Sequence, residues 1–568
     1  MRFLFFSIVC GLFLSIASVS EAASFGQVQK FLVDPAFDVS GREEFNAVLV
    51  NETSQLYIQV EQDWWNSLDA VSQSVLQNNL QLLAGEFERT IHPTLTSVFG
   101  LEWFPGVDGD PKITILVHRM KKGAAGYFRE VDEHLKLEFP DSNEKEMLYL
   151  ASDFINTSLA KAALAHEFTH LITYNQKERL LKIREEAWLD EMRAEYAPTL
   201  LGYNTIFEGS NLERRLKIFL QNPNNSLVEW QGEEQDYGVA SLFVHYLVDQ
   251  YGVGVLVDSL HLESVGIPSL DAALKQRGFS GVDFRKAFTD WTIAVFLNDC
   301  AYGKEYCYRN EHLKSLRLNP TLHLLPLGGT SRLEVSYSTK NWTGNWLKFV
   351  GGQGTLSFKF QVFGSLTFRV PYLVQSIDGA YEIKFLDLAD TQKGEFFVLD
   401  FGKEQKALLI IPTLQSKTLG FGDSEPLFPF SLTASILETA PQREEDVIRG
   451  LQAQLAFLQS EVARVLAQLQ ALGAAPGASC ASFPNDLALG MRSSGVECLQ
   501  KFLKDQGAGI YPEGLVTGYF GPLTQQAVIR FQEKYAAEVL SPIGFQKGTG
   551  YVGSRTRVKM NALLGSSL

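Results

Sequence analysis

The residues that could do chemistry are concentrated in His166-Glu167-Phe168-Thr169-His170, inside the run Ala162 to Ile172. The flanking Ala and Leu residues predict a helix, on which positions i and i+4 share a face, so both imidazoles can reach one metal ion. Zinc held by neutral imidazoles and one carboxylate keeps a position open for water. Glu167 then stands beside that water as general base, and the metal lowers the water's pKa for attack on a carbonyl. A second helical pattern begins at Glu185, and within it Glu191 and Glu195 share a face. We read Glu191 as the third metal ligand, with Glu186 and Asp190 as rivals. Glu195 is read as the carboxylate that holds a ligand histidine through its free ring N–H. Tyr237, at the start of a downstream helix, is the candidate oxyanion donor, against the competing reading of a packed tyrosine. His245, on the same helix, reads as structural.

Positioning these groups requires a sizeable scaffold. Strand-like runs (Leu56–Val60, Ile113–Val117) and amphipathic helical segments (Ala70–Glu86, Ala240–Gln250) predict an α+β body over residues 23–310. Residues 311–440 change texture to short alternating runs punctuated by glycines, such as Leu356–Phe360 and Glu382–Phe385, which predicts an all-β, sandwich-like module serving as a spacer. Within 443–473, Ile448, Leu451, Leu455, Leu458, Val462, Val465, Leu469 and Leu472 alternate spacings of three and four. This heptad predicts a coiled-coil stalk and allows a homo-oligomer, although one amphipathic helix lying on the β module fits the same pattern. A breaker (Pro441) and a linker (Gly473–Gly477) bracket it. Residues 474–568 form the last module.

The run Leu164 to Gln176, followed by Trp188-Leu189-Asp190-Glu191 and Ala194-Glu195-Tyr196-Ala197, resembles the gluzincin metallopeptidases, especially the secreted hyicolysin type. The resemblance extends more loosely over about residues 55–300. It implies His166, His170 and Glu191 as zinc ligands, Glu167 as catalytic base, and a thermolysin-like division with strands before and helices after the metal helix. It also implies that Met147–Leu150 is the edge strand on which a peptide substrate pairs. Met192 and Arg193 depart from the small residues common after that glutamate, which bears on the shape of the substrate site.

The C-terminal residues are similar to the three-helix peptidoglycan-binding domain of bacterial wall enzymes, through Gly495-Val496-Glu497-Cys498-Leu499-Gln500 and Val516 to Gln532, with the Gly-Thr pattern repeated at Gly550 to Arg557. The resemblance implies peptidoglycan as partner, and Tyr519, Phe520 and Thr524 are the candidate contact residues.

Composition bounds the rest. The chain has 568 residues, 45 % hydrophobic and 12 % aromatic, and a mean hydropathy of −0.03, which excludes a disordered chain and a single small module. Its formal charge of −15 argues against nucleic acid as the partner of the whole protein. Residues 480–568 carry net +3, leaving −18 elsewhere, so the wall-binding module alone suits an anionic surface. Arg2, the apolar run Phe3–Ala17 and the small residues near Ala22 predict a secretory signal over 1–22, hence a secreted, extracellular, wall-associated protein with no membrane anchor after cleavage. Cys300 with Cys307 and Cys480 with Cys498 are the expected disulfides. Two short motifs read as turns: Gly106–Pro111, whose Asp108 and Asp110 have a calcium-loop look without the further carboxylates, and Gly123–Tyr127 beside the cleft. The chemistry points to an endopeptidase acting on protein or peptide, with a peptidoglycan stem-peptide hydrolase and a non-catalytic wall scaffold as alternatives.

Overall fold

The computed structural model describes residues 25–326, 331–362, 364–389, 392–437, parts of 452–464, and 482–565. The expected signal segment, Cys480 and most heptad positions lie outside the described residues. Leu455, Leu458 and Val462 are within them and helical, with Leu455 and Val462 exposed. The chain divides into two compact units, residues 1–457 and 458–568.

The first unit opens with a six-stranded mixed sheet. Its strands are β1 (Val28–Leu32), β2 (Glu44–Glu52), β3 (Leu56–Glu61), β4 (Ile113–His118), β5 (Gly126–Tyr127) and β6 (Met147–Ala151), in the order β1-β2-β3-β4-β6-β5. β3, β4 and β6 are parallel, and every residue of β4 and β6 is buried, as near-continuous apolar runs in a covered parallel sheet require. The expectation that Met147–Leu150 forms the open edge is corrected here: β5 pairs antiparallel with Tyr149 and Leu150 and takes that edge. The sequence hid this because two residues around a glycine carry no strand periodicity.

Behind the sheet lies the metal helix, Ala160–Thr173, whose alanines favour helix and leave room for close packing on both sides. It contacts the helix Ala187–Leu200, which in turn packs on the helix Glu234–Tyr251. Glu233 and Asp236 form a reciprocal capping box that fixes the start of the last helix, in whose first turn Tyr237 follows Asp236.

The β module has two facing layers. Tyr381–Phe385, Pro371–Ser376, Gln405–Ile410, Leu347–Gly351 and Thr321–Leu325 make one; Lys393–Phe401, Gly354–Val362, Phe428–Leu437 and Arg332–Thr339 make the other, and the pair Phe401–Gln405 links them into one nearly closed sheet. Phe430, Leu432, Ala434 and Ile436 point inward at every second position and meet Phe358, Tyr372 and Leu408 from other strands. The module is not a free spacer, however. Trp342 and Trp346 are fully buried in the core of the α+β body, Trp346 Nε1 donates to Thr292 O at 2.8 Å, and Gln415 Nε2 donates to Thr289 Oγ1 at 3.0 Å. Tryptophans inside an alternating β pattern could equally have filled the module's own core, so the sequence did not reveal this docking.

In the second unit, helices Ser494–Asp505, Pro522–Lys534 and Ser554–Gly565 enclose a core of Leu499, Phe502, Phe520, Phe531 and Met560. The unit repeats itself at an offset of 32 residues. Gln500 Nε2 donates to Thr517 Oγ1, Tyr519 O and Thr524 Oγ1, while its Oε1 accepts from Thr517 N and Gly518 N. Gln532 makes the same five bonds with Thr549, Gly550, Tyr551 and Thr556.

Candidate metal centre

The helix geometry does what the i, i+4 spacing predicts. His166 Nε2 lies 3.1 Å and His170 Nε2 3.6 Å from the same oxygen, Oε2 of Glu191. Among the described residues these three form the one group whose ligand-type atoms all fall within 4.8 Å of one another. Glu191 Oε2 has no hydrogen-bond partner, and two imidazoles with one carboxylate are a donor set suited to zinc, so the residues fit the ion. Burial alone would raise the Glu191 carboxyl; the neighbouring His170 and His166 instead pull it below the usual carboxylate range.

Each far ring nitrogen faces a carboxylate. Asp190 Oδ2 sits 2.8 Å from His170 Nδ1, and Glu195 Oε1 sits 3.5 Å from His166 Nδ1. Asp190, considered above as a rival ligand, therefore faces the side of His170 turned away from Glu191. Only the tertiary pairing of two helices could separate a ligand from an orienting carboxylate one residue apart. Glu195 is buried and its charge is balanced by Arg215 at 2.5 Å, whose guanidinium also lies 4.3 Å over the Tyr237 ring. The other rival, Glu186, is committed elsewhere: it accepts from Trp188 Nε1 at 2.7 Å and Gly420 N at 2.6 Å.

Glu167 is buried, and desolvation pushes its carboxyl up to about 7 against the lowering effect of His166 and His170. Gly126 lies directly on it: a Cβ there would come within 2.9 Å of Glu167 Cγ and 2.6 Å of Tyr149 O. In the sequence this glycine reads as part of a turn, and no local periodicity marks its approach to Glu167. Tyr237 lines the same cleft of about 320 Å³ as His166, Glu167 and Gly126, with its ring 6.2 Å from that of His166. The charge of Glu191 and then burial raise its phenol well above the ordinary value. A hydroxyl kept protonated in this way can donate a hydrogen bond. His245 is a satisfied core residue, its ring nitrogens against Ser241 O and Thr199 Oγ1. Met192 and Arg193 face the core, where Arg193 pairs with Glu185 at 2.9 Å, so neither shapes the clefts beside the histidines.

In the loop Gly106–Pro111, Asp108 accepts from Asp110 N and pairs with Lys145, while Asp110 accepts from Lys112 N and Tyr57 Oη. These are the bonds of a turn. Cys300 and Cys307 are disulfide-bonded, as expected from locality; Cys498 is also disulfide-bonded, and its expected partner Cys480 lies outside the described residues.

The C-terminal candidates are corrected in part. Phe520 is wholly buried in the unit's core, and Thr524 is buried with its hydroxyl bound by Gln500, so neither is presented to a wall polymer. Tyr519 is on the surface, with the Arg492 guanidinium 4.7 Å over its ring. Neighbouring residues of an extended loop point to opposite sides, which sends Phe520 inward when Tyr519 faces out.

Two kinds of similarity to known proteins are found. Residues 492–539 match the peptidoglycan binding domain family. The chain is also similar to Neutral metalloprotease ShpI of Staphylococcus hyicus, 27 % identical over 191 aligned residues that cover 29 % of this chain and 41 % of that protein. The chain thus spans about two fifths of the length of that relative. Among solved structures, a periplasmic inhibitor of g-type lysozyme from Aeromonas hydrophila matches at 15 % identity over 21 % of this chain and all of its own, with a TM-score of 0.14, and a Bacillus endospore appendage protein at 13 % identity over 20 % and 88 %, with a TM-score of 0.13. The chain is therefore similar to a metalloprotease over part of its length and matches a peptidoglycan-binding family over residues 492–539.

Proposed function

We propose that the protein is an exported, wall-tethered, zinc-dependent endopeptidase of the gluzincin type, with a thermolysin-like catalytic body. The observation that carries this reading is the buried Glu167 carboxylate beside the His166–His170–Glu191 triad, open to a cleft that also contains Tyr237. A purely structural metal site has no use for that carboxylate. His166, His170 and Glu191 hold the zinc, which when bound supplies Lewis acidity and lowers the pKa of water. Asp190 and Glu195 fix the tautomer and plane of the two imidazoles. Glu167 takes the proton of the attacking water and passes it to the leaving amine. Tyr237 donates its hydroxyl proton in a hydrogen bond to the oxyanion. The edge of the sheet at Gly126–Tyr127, reached through the cleft-lining segment Gly123–Ala125, offers the pairing groups for an extended peptide. Tyr519 is retained as the wall-contact candidate.

The test is hydrolysis of casein by the purified mature protein, with and without chelator, beside Glu167→Gln. Chelator-sensitive cleavage lost in Glu167→Gln supports the reading, and cleavage retained in that variant overturns it. The peptidoglycan-binding match favours a second reading with the same chemistry, in which wall stem peptides are the substrate. Release of soluble muropeptides from purified peptidoglycan, with casein untouched, would select it.

A further inference from the structure

A second cleft, of about 790 Å³, is lined by His170 and Asp190, while the first is lined by His166 and Glu167, so the two histidines of the candidate centre border two recesses of different character. The first combines small and aromatic residues with charges of both signs, including Lys122, Arg214 and Arg215. The second is lined by seven carboxylates and two guanidinium groups. Both guanidiniums are already occupied: Arg129 pairs with Asp132 at 3.3 Å and donates to the carbonyls of Leu32 and Asp141, and Arg184 pairs with Glu130 at 2.8 Å. Two further carboxylates are engaged, Glu185 in an ion pair with Arg193 and Asp190 in a hydrogen bond with His170. Asp34, Glu43 and Asp141 have no cationic partner among the described residues, and half-buried Glu178 has only the shared Arg184 at 3.9 Å. Phe128 and Tyr174, with rings 6.0 Å apart, add an apolar wall. A recess with an apolar wall and uncompensated carboxylates matches a long aliphatic stem ending in a cation.

The geometry points to this second cleft as a specificity subsite for a lysine or arginine side chain on one side of the scissile bond, making cationic peptides the preferred substrate class. The inference rests on the endopeptidase reading and adds to it which peptides are cut. The cleft sets preference through charge and has no part in the proton transfers at Glu167.

The experiment uses the mature zinc-loaded protein and fluorogenic peptides that differ at one position at a time, carrying Lys, Leu or Glu. At one position flanking the cleaved bond, kcat/KM for Lys should exceed that for Glu by about tenfold or more. In Glu43→Lys/Asp141→Lys that ratio should fall towards one. Equal cleavage of Lys and Glu peptides at every position, or an unchanged ratio in the double variant, overturns the subsite. Anisotropy binding of the same labelled peptides to Glu167→Gln reads the cleft without turnover: tighter binding of the Lys peptide supports it, and equal binding overturns it. If no peptide is cleaved by wild type, the endopeptidase reading fails, while the binding comparison still decides the subsite.

Discussion

Glu186 Oε1 accepts the Gly420 N–H at 2.6 Å, so the residue immediately before the helix that carries Asp190, Glu191 and Glu195 is tied to the β module. Its other oxygen accepts from Trp188 Nε1. Together with Trp342 and Trp346 in the shared core, this makes the β module part of the frame that holds the candidate metal centre. Glu186→Ala should lower unfolding free energy by about 2 kcal/mol, because it removes the acceptor of Trp188 Nε1, Gly420 N and Phe421 N. Denaturant unfolding measures this. Removing residues 311–440 should leave an insoluble α+β body, because it exposes the surface that Trp342 and Trp346 cover.

Asp190 holds the ring of His170 from the far side, and Asp190→Ala should weaken zinc binding about 10- to 100-fold without removing a ligand. Competition with a chromogenic chelator reads the affinity directly. Unchanged affinity would mean that packing alone orients the imidazole.

Tyr237→Phe keeps the ring that Arg215 and Trp230 contact and deletes the hydroxyl. A donor used only at the oxyanion predicts a drop in kcat of about 10²-fold with little change in KM. Steady-state kinetics on one peptide separates this from a packing role, which would leave kcat unaltered.

Glu133 and Glu146 give a pH dependence of stability away from the candidate metal ligands. Burial and the charge of Glu146 raise Glu133 well above its usual value, and burial pushes Glu146 up to about 7. An acid raised on folding contributes stability that is complete below its unfolded pKa, near 4.5, and is lost as pH rises through the folded value. On moving from about pH 5 to about pH 8, wild type should therefore lose more thermal stability than Glu133→Gln. Melting curves at the two pH values check the sign.

The two buried glutamines of the second unit make a matched pair. Gln500→Ala and Gln532→Ala should each cost about 3 kcal/mol, since each strands several buried donors and acceptors, and the two losses should be similar because the networks are copies. Chemical unfolding of the full chain, followed through its second transition, measures both.

Residue types and local spacing determined a good deal by themselves. The i, i+4 histidines, Glu191 and Glu195 on one helical face, the alternation of Phe428–Leu437 and the short Cys300–Cys307 loop all follow from periodicity or chain proximity, which act over a few residues. Tertiary structure alone decided what depends on distant partners. It assigned Asp190 to His170 rather than to the ligand set, and Glu186 to a loop 234 residues away. It placed Gly126 on Glu167, turned Arg193 into the core and buried Phe520. In each case several burial sites satisfied the same local pattern, and the choice among them was made by packing and charge pairing between segments far apart in the chain.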